Sequence, residues 1–405
     1  MSLKPASKAF TVEARIKRRL RSHLSKLGFN RAEDGSLVLP DAGKDTVRTL
    51  HRQQRLDLLA ENTGFIDANL PRMQDYFASG GEVDVGRIKP VLQRVSGGTW
   101  ESNLFRLASL TWSVPVSAGF GRRIRYLVWD ESNGKLIGIV AIGDPVYNLA
   151  VRDDLIGWTV ADRANRLVCV MDAYVLGSVP PYNALLGGKL VASLLRTRDV
   201  YNDFTRTYGG TTGIISGEEK HARLLAITTS SSMGRSSVYN RLKLNGTTYF
   251  RSIGYTGGWG HFHIPDDLFE EMRDYLRGIQ HGYADLHAFG QGPNWRLRTV
   301  RAALNSLGFK QDMLKHGIQR EVFLCETAAN SLRILAGKEK RPNIKSLLTA
   351  EEVGRLGVER WMVGRAERMP DFRQWNKEGL LGLIQGTGHR GRTGGTAVET
   401  TSRVG

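Results

Sequence analysis

Residues 168–192 read VCVMDAYVLGSVPPYNALLGGKLVA, and this stretch decides the fold of the centre of the chain. Its first part is apolar and rich in β-branched residues, which predicts a buried strand over residues 167–176. The strand ends at a Gly-Ser-Val-Pro-Pro break, and a glycine-bearing helix follows. Such a turn offers backbone N–H groups and the positive end of a helix dipole to an anion. We therefore predict that a phosphate-bearing cofactor or a backbone phosphate binds at Leu186, Gly187, Gly188 and Lys189.

Two other interpretations of this turn are open. Gly187 and Gly188 also allow a helix to pack closely on a sheet without any ligand. Acyl-CoA-dependent acetyltransferases hold a pyrophosphate at a similar strand–turn–helix, through the sequence Arg/Gln-x-x-Gly-x-Gly/Ala. The leading Arg or Gln is missing here, so the identity of the cofactor stays unknown.

The second motif, residues 228–242, reads TTSSSMGRSSVYNRL and joins a predicted strand to a short predicted helix over residues 236–242. Hydroxyl groups and two arginines in so few residues suit the recognition of phosphate or ribose. Helix capping is the alternative, although a cap needs only one hydroxyl. We predict that nucleic acid contacts Arg235, Ser236, Tyr239 and Arg241.

The third motif, residues 255–265, reads YTGGWGHFHIP. His261 and His263 alternate in a predicted strand, so both imidazoles face one side of it. An unperturbed pKa near 6.5 makes either histidine suitable as a general base. We predict that Asp172, His261 and His263 perform proton transfer, with the polar segment 143–158 at the border of the site. Packing is the alternative for the histidines, and no metal site is assigned.

The composition narrows the class of protein. The 405 residues include 57 Lys and Arg against 40 Asp and Glu, a formal net charge of +17, and such a surplus favours contact with nucleic acid. No apolar run is long enough to span a membrane, and no signal segment follows the basic N-terminus. The two cysteines do not form a metal-binding pattern. We predict a cytoplasmic protein that makes no membrane contact.

The periodicity of apolar residues divides the chain into four regions. These are a basic α-rich region over residues 1–110, an α/β core over 111–266, a helical region over 267–384 and a disordered tail over 385–405. Within the third region, one helix is predicted over residues 311–327. We predict an α/β fold whose mainly antiparallel, acetyltransferase-like sheet is flanked by N-terminal and C-terminal α-helical regions.

A fourth motif, PVYNLAVRDDLIGW at residues 145–158, precedes the other three. In this order, the four motifs resemble the DruA family of the Druantia anti-phage system, over about residues 100–330. The resemblance implies a role in bacterial defence against phage, beside helicase-like partners that act on nucleic acid. It does not assign a reaction.

Three functions are compatible with these observations. The first is a nucleic-acid-binding defence protein, for DNA more than for RNA, whose acetyltransferase-like core senses or modifies DNA. The second is a non-catalytic subunit that recruits nucleic acid or a helicase. The third is a metal-dependent nuclease.

Overall fold

The structure is a computed structural model that describes residues 11–33, 37–39, 43–117, 119, 121–212, 219–232, 236–261, 263–285, 295–309 and 311–386. The helices are α1 Val12–Lys26, α2 Lys44–Leu50, α3 Arg52–Glu61, α4 Thr63–Met73, α5 Trp100–Ser109, α6 Ala150–Ile156, α7 Val160–Arg166, α8 Gly187–Ser193, α9 Arg198–Tyr208, α10 Asp266–Gly278, α11 Trp295–Ser306, α12 Ser331–Leu335, α13 Ala350–Gly357, α14 Gly364–Arg368 and α15 Leu380–Gln385. The strands are β1 Asn30–Arg31, β2 Leu37–Val38, β3 Pro90–Val95, β4 Arg123–Asp130, β5 Lys135–Gly143, β6 Val170–Ser178, β7 Thr211–Thr212, β8 Glu219–Lys220, β9 Ala226–Ser230, β10 Leu242–Leu244, β11 Thr247–Tyr255 and β12 Glu321–Glu326.

Eight of the strands form one sheet, in the order β10-β11-β12-β9-β6-β5-β4-β3. Neighbouring strands run antiparallel except β6 and β9, which are parallel. A parallel pair needs a crossover connection, and α8 and α9 lie in the connection between β6 and β9. The α/β class is therefore confirmed. The sheet is mixed: most of its neighbouring strands are antiparallel, as predicted, but the sequence analysis did not predict the central parallel pair.

The two central strands pair over a short distance. Backbone pairing joins residues 170–172 of β6 to residues 226–228 of β9, whereas β6 continues to Ser178. Beyond this point the pairing of β6 with β5 shifts register between Ala141 and Ile142. A register shift of this kind marks a β-bulge, a feature found next to many active sites.

Helices cover both faces of the sheet. Alternate residues of β4 point to opposite faces, so Tyr126 and Val128 belong to one core and Leu127 to another. The first core is completed by α8, α9 and α13, and the second by α4, α5 and α15. A smaller core near β6, β9 and β12 includes residues of α6 and α12.

The N-terminal helix packs on helices from a distant part of the chain. Helices α10 and α11 lie between β11 and β12 in sequence, and the buried face of α1 shares a hydrophobic core with them. Arg19 of α1 forms ion pairs with Asp267 and Glu271 of α10. We refer to α1, α2, α10 and α11 as the accessory helices.

Three local predictions are wrong. Part of segment 311–327 is strand β12 and not a helix, because a strand covered on both faces is a continuous apolar run without a period of two. The strand predicted for residues 261–264 is not formed by its described residues: the Ile264 N–H donates to the His261 carbonyl at 3.0 Å, which makes a turn that leads into α10. Residues 237–241 form a turn before β10 and not a helix.

Within the described ranges, no helix combines the length and the apolar character that a membrane span requires. Residues 387–405 of the predicted tail lie outside the described residues.

Candidate functional site

Asp172 lies where the backbone pairing of β6 and β9 ends. Its Oδ1 accepts a hydrogen bond from the hydroxyl of Thr228 at 2.7 Å. The hydroxyl of Thr229 donates to the carbonyl of Ala173 at 2.9 Å. Two buried threonine side chains of β9 therefore link this strand to β6 where their backbone pairing ends. The carboxyl group of Asp172 lies at the centre of the sheet. We call Asp172, Thr228, Thr229 and Tyr239 the Asp172 site.

The surroundings of Asp172 change its acidity. Burial raises the pKa of the Asp172 carboxyl to about 6, against the opposing effects of the Thr228 hydrogen bond and the positive charge of Arg152. The residue nevertheless stays partly exposed. A carboxyl group with a pKa close to neutrality and some access to solvent is a candidate general acid or base.

Tyr239 is a buried member of the site. Its ring packs on Phe250 and Phe323, with centroids 5.4 and 5.0 Å apart. Burial, together with the charge of Asp172, raises the pKa of the phenol to about 12 against the opposing effect of a hydrogen bond with Thr229. The hydroxyl is therefore a neutral group at pH 7, and the ring is not exposed for stacking on a nucleotide.

A buried arginine that the sequence analysis did not single out acts on the Asp172 site. Arg152 of α6 is 0% exposed, and its Nε donates to Oδ1 of Asp153 at 2.8 Å. Its Nη1 and Nη2 donate to two backbone carbonyls of the preceding loop at 2.8 and 2.9 Å. Arg163 donates to Oδ2 of Asp153 at 2.6 Å. Because the charge of Arg152 lowers the pKa of Asp172, this network helps to set the acidity of the site.

The predicted anion-binding turn is closely packed. Leu186 adopts a left-handed φ of 62°, and the N–H of Gly187 donates to the carbonyl of Tyr182 at 2.8 Å. The ammonium group of Lys189 donates to two backbone carbonyls of segment 238–240, at 3.0 and 2.9 Å. The structure therefore brings the first and second motifs together. The Lys189 ammonium group, which was predicted to bind an anion, makes this connection.

Matched glycine substitutions test this packing. A Cβ at Gly187 would lie 2.6 Å from the carbonyl oxygen of Tyr182, whereas a Cβ at Gly188 would lie 3.5 Å from Val238, an ordinary contact. We expect Gly187→Ala to lower the free energy of unfolding by about 1–3 kcal/mol. Gly188→Ala is expected to be neutral, or to stabilise by up to about 1 kcal/mol, through helix propensity. Urea denaturation compares the two, and equal stabilities would argue against close packing at Gly187.

The predicted nucleic-acid contacts of the second motif lie in different environments. Arg235 is outside the described residues. The hydroxyl of Ser236 accepts a hydrogen bond from the N–H of Val238 at 3.1 Å, and so stabilises its own turn. Arg241 is exposed, with a left-handed φ of 55°. Among the described residues of this set, Arg241 is therefore exposed and available to contact nucleic acid, whereas Tyr239 is buried.

The structure does not bring His261 and His263 to Asp172. They lie beside the accessory helices, where the ring of His263 packs on Phe29 and His316 with centroids 5.6 and 5.8 Å apart. Burial lowers the pKa of His261 to about 4 and that of His263 to about 3. The unperturbed value that favoured them as general bases does not apply, because both rings are desolvated.

These features define a mixed α/β protein with accessory helices and a titratable carboxyl group at the centre of its sheet. Residues 41–337 match the family model described as Druantia protein DruA. The chain is 60% identical to the Druantia protein DruA of Escherichia coli (strain UMEA 4076-1) over 372 residues, which is 92% of each chain. It therefore belongs to the DruA family, as the four motifs predicted. No solved structure matches the chain.

Proposed function

We propose that the chain is an anti-phage defence protein that binds nucleic acid and senses or modifies it by proton transfer at Asp172. The acidity of Asp172 carries this proposal. A carboxyl group with a pKa of about 6 is half-ionised about one unit below neutral pH, far closer to neutrality than an ordinary aspartate, and the residue at the end of strand pairing is partly exposed. Perturbed acidity together with access is typical of functional sites. Membership of the DruA family supports the role in defence.

The basic helix α1 supports the binding of nucleic acid. Its apolar residues Ile16, Leu20 and Leu24 are buried, and the ion pairs of Arg19 hold it on α10. The exposed side chains of the helix include the basic residues Arg15, Arg21 and Lys26, and Arg21 lies at the edge of the buried face, with its guanidinium carbon 5.6 Å from the ring centroid of Phe309. A rigidly held basic helix offers positive charge to a phosphate backbone.

Acyl transfer is not part of the proposal. The acetyltransferase-like core stays a prediction from the sequence, and the turn does not fit the pyrophosphate of coenzyme A. The Gly187 N–H is already bonded to the Tyr182 carbonyl, and the Lys189 ammonium is bonded to two backbone carbonyls.

A non-catalytic subunit is the second candidate function. The structural use of Lys189 and Gly187 favours it, because the first motif would then maintain the packing of the fold. The basic surface would recruit nucleic acid or a helicase-like partner. Within the described residues, no three histidine, cysteine or acidic side chains are grouped to hold a metal ion, and a metal-dependent nuclease is not among the functions that we propose. The cytoplasmic location and the helicase-like partner stay predictions.

Neutralising the exposed face of α1 tests the binding of nucleic acid. We expect the triple variant Arg15→Gln, Arg21→Gln, Lys26→Gln to bind duplex DNA at least about tenfold more weakly at 0.1 M salt. We also expect the slope of log affinity against log salt to fall by about 2–3, because each contact with a phosphate contributes about 0.9. Fluorescence anisotropy over a salt series measures both quantities.

A control triple variant removes the same net charge elsewhere. It changes Lys89, Arg333 and Arg355 to glutamine, each of which forms an exposed ion pair away from α1. We expect it, and also Asp172→Asn, to keep the affinity and salt slope of the native chain. Equal losses in the two triple variants would show that total charge, and not α1, governs binding.

A further inference from the structure

The chain after β11 carries two exposed aromatic side chains. Tyr255 ends β11 and is 41% exposed, and Trp259 is 38% exposed. The segment continues the pairing toward the chain before β12, since the Thr256 N–H donates to the Arg320 carbonyl at 2.9 Å and Trp259 bridges to Lys315. The two side chains therefore extend from hydrogen-bonded backbone, which restrains their positions and leaves part of each ring exposed.

Positive charge lies beside Trp259. The guanidinium carbon of Arg301 is 4.9 Å from the centroid of Trp259, and its Nε is buried without a hydrogen-bond partner. Arg298, one helical turn away in α11, is exposed, as is Lys315. Exposed aromatic faces beside arginine and lysine are the elements with which proteins bind unpaired bases and their phosphates.

A buried acceptor lies next to Tyr255. Glu321 is the cross-strand partner of Tyr255 in the β11–β12 pairing, and it is 6% exposed. Its Oε2 is buried without a hydrogen-bond partner. A buried acceptor without a donor is costly in a folded protein, and an N–H group from a bound molecule would remove that cost.

We propose that Tyr255, Trp259, Arg301 and Glu321 form a platform for the unpaired bases of single-stranded nucleic acid. Tyr255 and Trp259 stack on bases, Arg301 supports Trp259 and neutralises phosphate, and Glu321 accepts a hydrogen bond from an exocyclic amino group. This inference rests on the proposed binding of nucleic acid and adds the class of strand and the residues that contact its bases.

The test measures the binding of fluorescein-labelled 20-mers to the full chain. We expect Trp259→Ala to bind dT20 about 5- to 100-fold more weakly, since stacking contributes that factor for each base. An abasic 20-mer of equal charge is expected to bind the native chain and Trp259→Ala equally. Trp100→Ala is the matched control, because Trp100 is 43% exposed and belongs to a different aromatic cluster. It is expected to bind dT20 with native affinity.

Glu321 is tested by base identity. The native chain is expected to prefer dC20 to dT20 by about tenfold, because cytosine presents an amino donor where thymine presents a carbonyl. Glu321→Gln is expected to bring this ratio toward one.

Two outcomes would contradict the inference. If Trp259→Ala binds dT20 with native affinity, the aromatic side chains do not bind bases, and the surface instead fits a protein partner. If the native chain binds dC20 and dT20 equally, Glu321 does not accept a hydrogen bond from the base. If the native chain binds duplex but no single strand, this inference alone fails; if it binds neither, the proposed function fails as well.

Discussion

Asp172→Asn is expected to stabilise the folded chain by about 1–3 kcal/mol at pH 8 and to leave its stability unchanged at pH 4. Burial raises the pKa of Asp172 from 3.8 in the unfolded chain to about 6 in the folded one. The group therefore favours folding when it is protonated, and this contribution is lost as the pH rises through 4 to 6. Asparagine cannot ionise, and its carbonyl oxygen can still accept the hydrogen bond from Thr228.

Urea denaturation at a series of pH values measures this effect. Asp154 lies in α6, is exposed, and provides the control substitution Asp154→Asn, for which we expect a change of less than about 0.5 kcal/mol at either pH. If Asp172→Asn has the same small effect at pH 8, the carboxyl group is not desolvated, and the argument for an unusual acidity is lost.

Arg152→Met is expected to destabilise the chain by about 3–5 kcal/mol. The guanidinium group is fully buried and bonds Asp153 and two backbone carbonyls. Methionine fills similar space but leaves these acceptors with fewer donors, and Arg163 remains as a partner of Asp153. Arg355→Met is the control. Its exposed ion pair with Glu359 is expected to contribute less than about 1 kcal/mol.

The Arg152 variant also tests the coupling between the network and Asp172. Removal of a positive charge that lowers the pKa of Asp172 is expected to raise that pKa further. Asp172→Asn should then stabilise the Arg152→Met chain at pH 8 by more than it stabilises the native chain. A double-mutant cycle measures the difference, and strictly additive effects would show that the two groups do not interact. If Arg152→Met does not fold, Arg152→Gln, which removes the charge but keeps hydrogen-bond donors for the backbone carbonyls, serves in its place.

Much of the sheet could be predicted from local patterns. The runs 125–129 and 136–142 were predicted as strands joined by a turn, and they are β4 and β5. Strand β6 and the turn after it were also predicted, because apolar β-branched runs bounded by glycine and proline are strong local signals. Strand β12 was missed. A buried run of six residues reads equally well as part of a helix, and its position in the sheet depends on β9 and β11, which are distant in sequence.

The candidate site was predicted in part. Asp172 was named only by its residue type and its place on the predicted central strand; its burial depends on the neighbouring strands. The two histidines were predicted in a strand, whereas His261 and His263 belong to a turn beside the accessory helices. The sequence indicated the role of Arg152 only indirectly, because the whole segment 143–158 was predicted to border the site and no single residue of it was chosen. That Arg152 is buried depends on packing by α7 and the preceding loop, which no local pattern specifies.

The most direct test of proton transfer at Asp172 is protection of cells against phage. The efficiency of plating is compared for cells that carry the other Druantia proteins together with the native chain, Asp172→Asn or Asp154→Asn, at equal amounts of protein. We expect Asp154→Asn to protect as the native chain does. Asp172→Asn, although folded and able to bind DNA, is expected to leave cells as sensitive as those without the chain. Native protection by Asp172→Asn would contradict the account and leave the non-catalytic subunit as the function of this protein.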